Sequence, residues 1–63
     1  MDPLRFVCAI DGIRVYTNVE TKAEYTAERV HHKWAVRTPM GRTLTSVQTL
    51  EDAEAFMRGD LLF

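Results

Sequence analysis

Two alternating runs meet at Asp11-Gly12, and that junction constrains the fold more than any other feature of the chain. Leu4, Phe6, Cys8 and Ile10 alternate with Arg5, Val7 and Ala9. Beyond the junction, Ile13, Val15 and Thr17 alternate with Arg14 and Tyr16. A period of two is the signature of a strand with one face buried. A two-residue Asp-Gly loop favours the type I′ turn, whose twist matches that of the strands it joins. The pattern predicts a hairpin over Leu4 to Asn18 that pairs Ile10 with Ile13, Cys8 with Val15 and Phe6 with Thr17. That register gathers Leu4, Phe6, Cys8, Ile10, Ile13 and Val15 on one face, the expected core face.

Residues 33 to 47 repeat the form. Trp34, Val36 and Thr38 alternate with Ala35 and Arg37, Pro39-Met40-Gly41 supplies turn residues, and Arg42 to Val47 is rich in β-branched residues. A second hairpin is expected, with Trp34 and Val36 on its core side and Arg37 exposed. Thr49 then reads as a helix N-cap, with Glu51 and Asp52 in the first turn, where carboxylates favour the helix dipole. Leu50, Ala53, Phe56 and Met57 form an apolar stripe, and Gly59 supplies a C-terminal stop. Leu61-Leu62-Phe63 is expected to pack back onto the sheet, or else onto a second copy.

Residues 19 to 32 admit two readings. Thr21-Lys22-Ala23-Glu24 fits a capping box, and Ala23, Ala27, Val30 and Trp34 follow at helical spacing, so a short helix over 22–31 is expected. The alternative is an extended strand, which suits Tyr25, Thr26 and Val30. The helical reading makes the two halves echo each other, Thr21/Glu24 matching Thr49/Asp52. The expected fold is α+β: an antiparallel sheet of about four strands in two hairpins, with one or two short helices on one face, in a ββαββα order.

The 63 residues are expected to form one small domain, and a domain of that size buries only about 60% of the surface its unfolded chain exposes. Such scaffolds usually need a staple. The single Cys8 cannot close an internal disulfide and fits a reducing compartment, and no close-spaced set of metal ligands stands out, which leaves homodimerisation. No apolar run is long enough to span a membrane, and Met1-Asp2-Pro3 does not begin a secretory signal. The expectation is a soluble, cytoplasmic protein with no membrane partner.

Charge is sorted along the chain. No acidic residue occurs between Glu28 and Glu51, a stretch holding Arg29, His31, His32, Lys33, Trp34, Arg37 and Arg42. With a net charge of −1, such sorting suits docking to a charged partner rather than indiscriminate nucleic-acid binding. Adjacent histidines point apart on a strand or a helix and so seldom share a metal. Cys8, placed between Phe6 and Ile10, reads as a buried and inert thiol. No G-x-S-x-G, P-loop or dinucleotide fingerprint occurs. No catalytic, cofactor-binding or metal-binding residue is therefore assigned. Arg37 and Arg42 flank a turn with Met40 at its tip. With Lys33, they are the candidate partner-binding residues. The acidic side of the last helix, Glu51, Asp52, Glu54 and Asp60, is the other candidate face.

The stretch from Trp34 to Met57 resembles the arm-binding domains of phage-type tyrosine integrases and related small AP2-like domains. The matching residues are Trp34, Gly41-Arg42, Thr49, Ala53 and Phe56. The resemblance covers under half of the chain. It implies a sheet laid in a DNA groove, with contacts from Lys33, Arg37 and Arg42, and it lacks that family's dense basic run, which Thr43, Thr45 and Ser46 replace. Small proteins of this sort are also typical of phages and mobile elements. Two expectations follow: a non-enzymatic regulator or inhibitor that docks onto a protein partner, and, as the alternative, a DNA-binding module using the sheet face around Arg37 and Arg42.

Overall fold

The computed structural model describes residues 2–59, so the expected packing of Leu61-Leu62-Phe63 lies outside the described residues. Five strands, β1 (Leu4–Ile10), β2 (Ile13–Asn18), β3 (Glu24–Val30), β4 (Lys33–Arg37) and β5 (Thr43–Val47), precede one helix, α1 (Leu50–Arg58). The strands form one antiparallel meander in the order β1-β2-β3-β4-β5. The α+β class holds, with five strands rather than about four.

The extra strand is the segment expected to be a helix over 22–31. Lys22 has φ of 68°, which no helix start accommodates. The Thr21 hydroxyl accepts from the Ala23 amide at 3.3 Å, a local turn in place of a capping box. As β3, Glu24–Glu28 pair with β2 on one side and Thr26–Val30 with β4 on the other, so the centre of the strand has backbone partners in both rows. Tyr25 and Ala27 then meet the core at a period of two. No helix separates two halves, and the ββαββα order is replaced by βββββα.

The first hairpin has its expected turn, with Asp11 at φ 52° and Gly12 at φ 80°, and its expected pairs Ile10–Ile13 and Cys8–Val15. Beyond Cys8 the register shifts. Val7 has no partner, and Phe6 pairs with Tyr16 instead of Thr17. The inserted residue is a β-bulge, which moves all that follows to the other face. The six residues expected on one face are therefore divided. Leu4 and Phe6 share a face with Tyr16 and Asn18, while Cys8, Ile10, Ile13 and Val15 lie on the opposite one.

The helix covers the first of these faces. Tyr16, Ala27 and Val36 from the sheet and Ala53 and Met57 from α1 form the core, with Leu4, Tyr25, Trp34, Val47, Leu50 and Phe56 packed around it. Trp34 beside Val36 is thus a core residue, as the alternation predicts. Cys8 is half-buried on the helix-free face, where Ile10 is 60% exposed, so the expected inward cysteine is corrected.

A nine-residue helix is about 13 Å long, whereas five strands span about 19 Å. Yet α1 touches β1 and β2 as well as β4 and β5, so the sheet curls around it. The bulges supply the bend: register shifts occur in the β1–β2 and β4–β5 pairings, at Val7 and Leu44, and not in the β2–β3 or β3–β4 pairings. Bulged edges also resist pairing with another strand.

Two polar residues of β2, Tyr16 through Glu54 and Asn18 through Met57, fix the helix in place. Asn18, 1% exposed, donates from Nδ2 to the carbonyl oxygen of Met57 at 2.9 Å. Its Oδ1 accepts from the amides of Glu20 and Thr21 at 3.0 and 3.1 Å. One side chain therefore holds both the last turn of α1 and the β2–β3 loop. Asp2 adds an exposed tie: it accepts from Arg58 Nε and Nη2 at 2.9 and 3.1 Å, and the Arg58 guanidinium, then the Leu4 amide, hold its carboxyl below the usual range. The helix ends are those expected. Thr49 accepts from the Asp52 amide at 3.1 Å, and Gly59, at φ 96°, donates to the carbonyls of Ala55 and Phe56.

Asn18→Ala strands a helix carbonyl and two loop amides; urea denaturation is expected to show a loss of about 2–3 kcal/mol. A loss below about 0.5 kcal/mol would contradict the anchoring role.

Candidate functional site

The candidate residues divide between the two ends of β4. Arg37, Met40 and Arg42 belong to the end at the β4–β5 loop. Lys33 starts the strand at the other end, four residues from Arg37 and so about 13 Å away. The structure therefore brings three of the four together.

The loop is ordered by its own backbone. Gly41 donates to the Thr38 carbonyl at 2.9 Å, which closes a turn with Pro39 and Met40 at its centre. The Thr38 amide donates to the Arg42 carbonyl at 2.9 Å, and the Thr38 hydroxyl accepts from the Arg42 amide at 3.2 Å. Proline fixes one φ, and Gly41 takes φ 95°, where a side chain would strain the backbone. Met40 is held at this tip with 97% of its surface exposed. Solvation of so large an apolar side chain is unfavourable.

Arg37 is half-buried rather than exposed. Its Nη1 is 2.7 Å from Glu28 Oε1, and its Nε donates to the Thr43 hydroxyl at 3.2 Å. Thr26 lies opposite Arg37 and Ala35 opposite Glu28, which makes Glu28 and Arg37 diagonal neighbours on the helix-free face. The pair is semi-exposed and contributes about 0.2–1 kcal/mol. Glu28 neutralises the guanidinium, and Arg42, with no side-chain partner among the described residues, is the free cation at this end.

The other end carries a feature that sequence reasoning missed. Val30 pairs with Lys33, so His31-His32 is a two-residue turn. Both histidines have positive φ, 51° and 67°, matching the 52° and 80° of Asp11-Gly12. A left-handed backbone costs an ordinary residue about 1–2 kcal/mol. The available signal was spacing: the strand-like runs 24–30 and 33–37 stand two residues apart, the length of the commonest hairpin loop.

A third cluster lies under the helix. The Tyr16 hydroxyl donates to Glu54 Oε2 at 2.7 Å and accepts from Arg14 Nε at 2.8 Å. The Arg14 guanidinium lies 4.5 Å from the centre of the Phe6 ring. The ring of Phe6 meets that of Tyr16 edge-on at 5.5 Å. Burial raises the Tyr16 pKa above its ordinary value; Arg14 opposes that shift and Glu54 reinforces it. With the buried Tyr16 hydroxyl both donating and accepting, and no buried side-chain polar atom without a partner among the described residues, this arrangement suits registration of helix on sheet. Among the described residues no three His, Cys, Asp or Glu side chains converge as a metal site, and no helix is long and apolar enough to cross a membrane. Comparison with family models, curated proteins and solved structures finds no match.

The Tyr16 shift sets a sign. A folded-state pKa raised above the unfolded value of about 10 means that the folded chain holds the proton longer. The associated stability is fully present below pH 10 and is lost as pH rises through the folded value. Thermal melts between pH 8 and 11 are expected to show Tm falling above about pH 10, with a smaller fall in Tyr16→Phe. An equal fall in both proteins would contradict the assignment.

Proposed function

We propose that this chain is a non-enzymatic regulator or inhibitor that docks onto a protein partner through the β4–β5 tip. One observation carries the reading: Met40 stands 97% exposed on a loop whose backbone is already ordered by hydrogen bonds. An apolar anchor held rigid before contact loses little conformational freedom on binding, which is how a small contact reaches useful affinity. Arg42, and Arg37 through whatever charge Glu28 leaves, favour an apolar socket with an acidic rim. The helix-free face beside the tip, with Thr43 and Ser46, would extend the contact.

A second reading is a DNA-binding module, favoured by the placement of Lys33 and Arg37 on the same face of β4. The two separate by salt and by nuclease. Affinity for duplex DNA that falls steeply with salt and is lost in an Arg37→Ala/Arg42→Ala variant belongs to the second reading, because phosphate contacts release counterions.

For the first, a tagged pull-down from bacterial lysate is expected to retain one stoichiometric protein after nuclease treatment. Met40→Ala should weaken its capture at least tenfold, a hot-spot effect of about 1.4 kcal/mol or more. Capture that vanishes with nuclease, or that Met40→Ala leaves unchanged, would reject this reading.

A further inference from the structure

The helix-free side of the strands carries five charged residues, Arg5, Glu24, Glu28, Lys33 and Arg37. Glu28 has the central position. It lies opposite Ile13 on β2 and opposite Ala35 on β4. Lys33 and Arg37 stand two residues either side of Ala35, so both are diagonal neighbours of Glu28 on one face. A single carboxylate thus divides what would otherwise be a basic row along β4.

The ion pair that Glu28 makes lies across the sheet rather than out in solvent. Ala35 points to the uncovered side, yet it is only 6% exposed. Side chains around it therefore fold over the strand, and Glu28 and Arg37 are placed to do so. Their 2.7 Å contact bridges β3 and β4, and the Thr43 hydroxyl accepts from Arg37 Nε at 3.2 Å from the β5 side. Two of the three guanidinium nitrogens are engaged. A solvated surface arginine leaves those donors to water; here the fold has filled them.

A guanidinium offers the same fork of N–H donors to a carboxylate and to a phosphate, so the two anions compete for it. A phosphate seated beside the Glu28 carboxylate also meets a like charge, which penalises the contact. The diagonal spacing to Lys33, about 7–8 Å, is within the Debye length of about 8–10 Å, so Glu28 weakens the field there too. Discrimination between partners is often built from such a repulsive element as well as from attraction. We propose that Glu28 is a specificity-determining residue: its carboxylate occupies Arg37 and excludes nucleic-acid phosphates from the helix-free face. A protein surface, with mixed charge and apolar groups, is not refused by one carboxylate. The inference concerns which class of macromolecule the sheet rejects, and it does not depend on docking through Met40.

The test is fluorescence anisotropy of a labelled duplex DNA with the full chain, from about 50 to 200 mM salt. Glu28→Gln removes the charge with little change of shape. It is expected to bind at least tenfold tighter than the wild type at the lowest salt. Its log affinity should fall more steeply with log salt, by about 0.9, because one further phosphate is neutralised. Glu28→Thr, which suits a strand and is too short to reach Arg37, should behave alike. Two controls separate the ion pair from net charge. Glu51→Gln removes an equal charge from α1 and should change affinity less than twofold. In an Arg37→Gln background, Glu28→Gln should gain less than twofold. An equal gain in Glu51→Gln, a gain that survives without Arg37, or no gain in either Glu28 variant would each overturn the proposal. The readout involves no protein partner, so it is decided separately from the Met40 result.

Discussion

Helix α1 covers one face of the sheet, and two polar side chains of β2 decide where it sits. The core is small, and two of its fully buried residues, Ala27 and Ala53, contribute only a methyl group each. Apolar burial of that size is non-directional and would tolerate several helix positions. Tyr16 grips the middle of the helix through Glu54, and Asn18 grips its end through the Met57 carbonyl. Being buried, these groups cost free energy wherever they are not paired, so one helix position is singled out. The β2–β3 loop is tied to the same position, because the Asn18 side chain that holds the helix end also accepts from the Glu20 and Thr21 amides.

The parts legible in the sequence are those whose signals are local and strong. Asp11-Gly12 names its own turn, Thr49 and Gly59 bracket the last helix, and Pro39-Met40-Gly41 marks the second hairpin. Two features were not legible, for different reasons. The bulge at Val7 is a property of the sheet as a whole: uninterrupted alternation from Leu4 to Ile10 reads as one face, whereas curling around α1 requires an extra residue. The Thr21–Glu24 capping pattern is local and genuine as a pattern, but β2 and β4 between them pair every residue from 24 to 30, and Thr26, Ala27 and Glu28 on both sides. Tertiary pairing then outweighs a preference of a few tenths of a kcal/mol per residue.

The candidate site was legible in part. Met40 and Arg42 share an exposed loop as expected. Arg37 was misjudged because Glu28, nine residues away in sequence, becomes its diagonal neighbour once β3 pairs with β4. The same pairing carries Lys33 to the far end of the strand, beside two histidines that the sequence presents as a mere doublet. The basic stretch thus becomes two separated tips with a neutralised centre, a geometry that suits discrete contacts at each end better than a continuous basic track.

Site-specific photo-cross-linking tests the functional account most directly. A photoreactive residue would be placed in turn at Met40, on the proposed tip, and at Ile10, on the helix-free face away from it. Irradiation in cells should yield one discrete protein adduct from position 40 and none from position 10. An adduct from position 10 with none from position 40 would contradict docking through the β4–β5 tip and place the contact on the open sheet face.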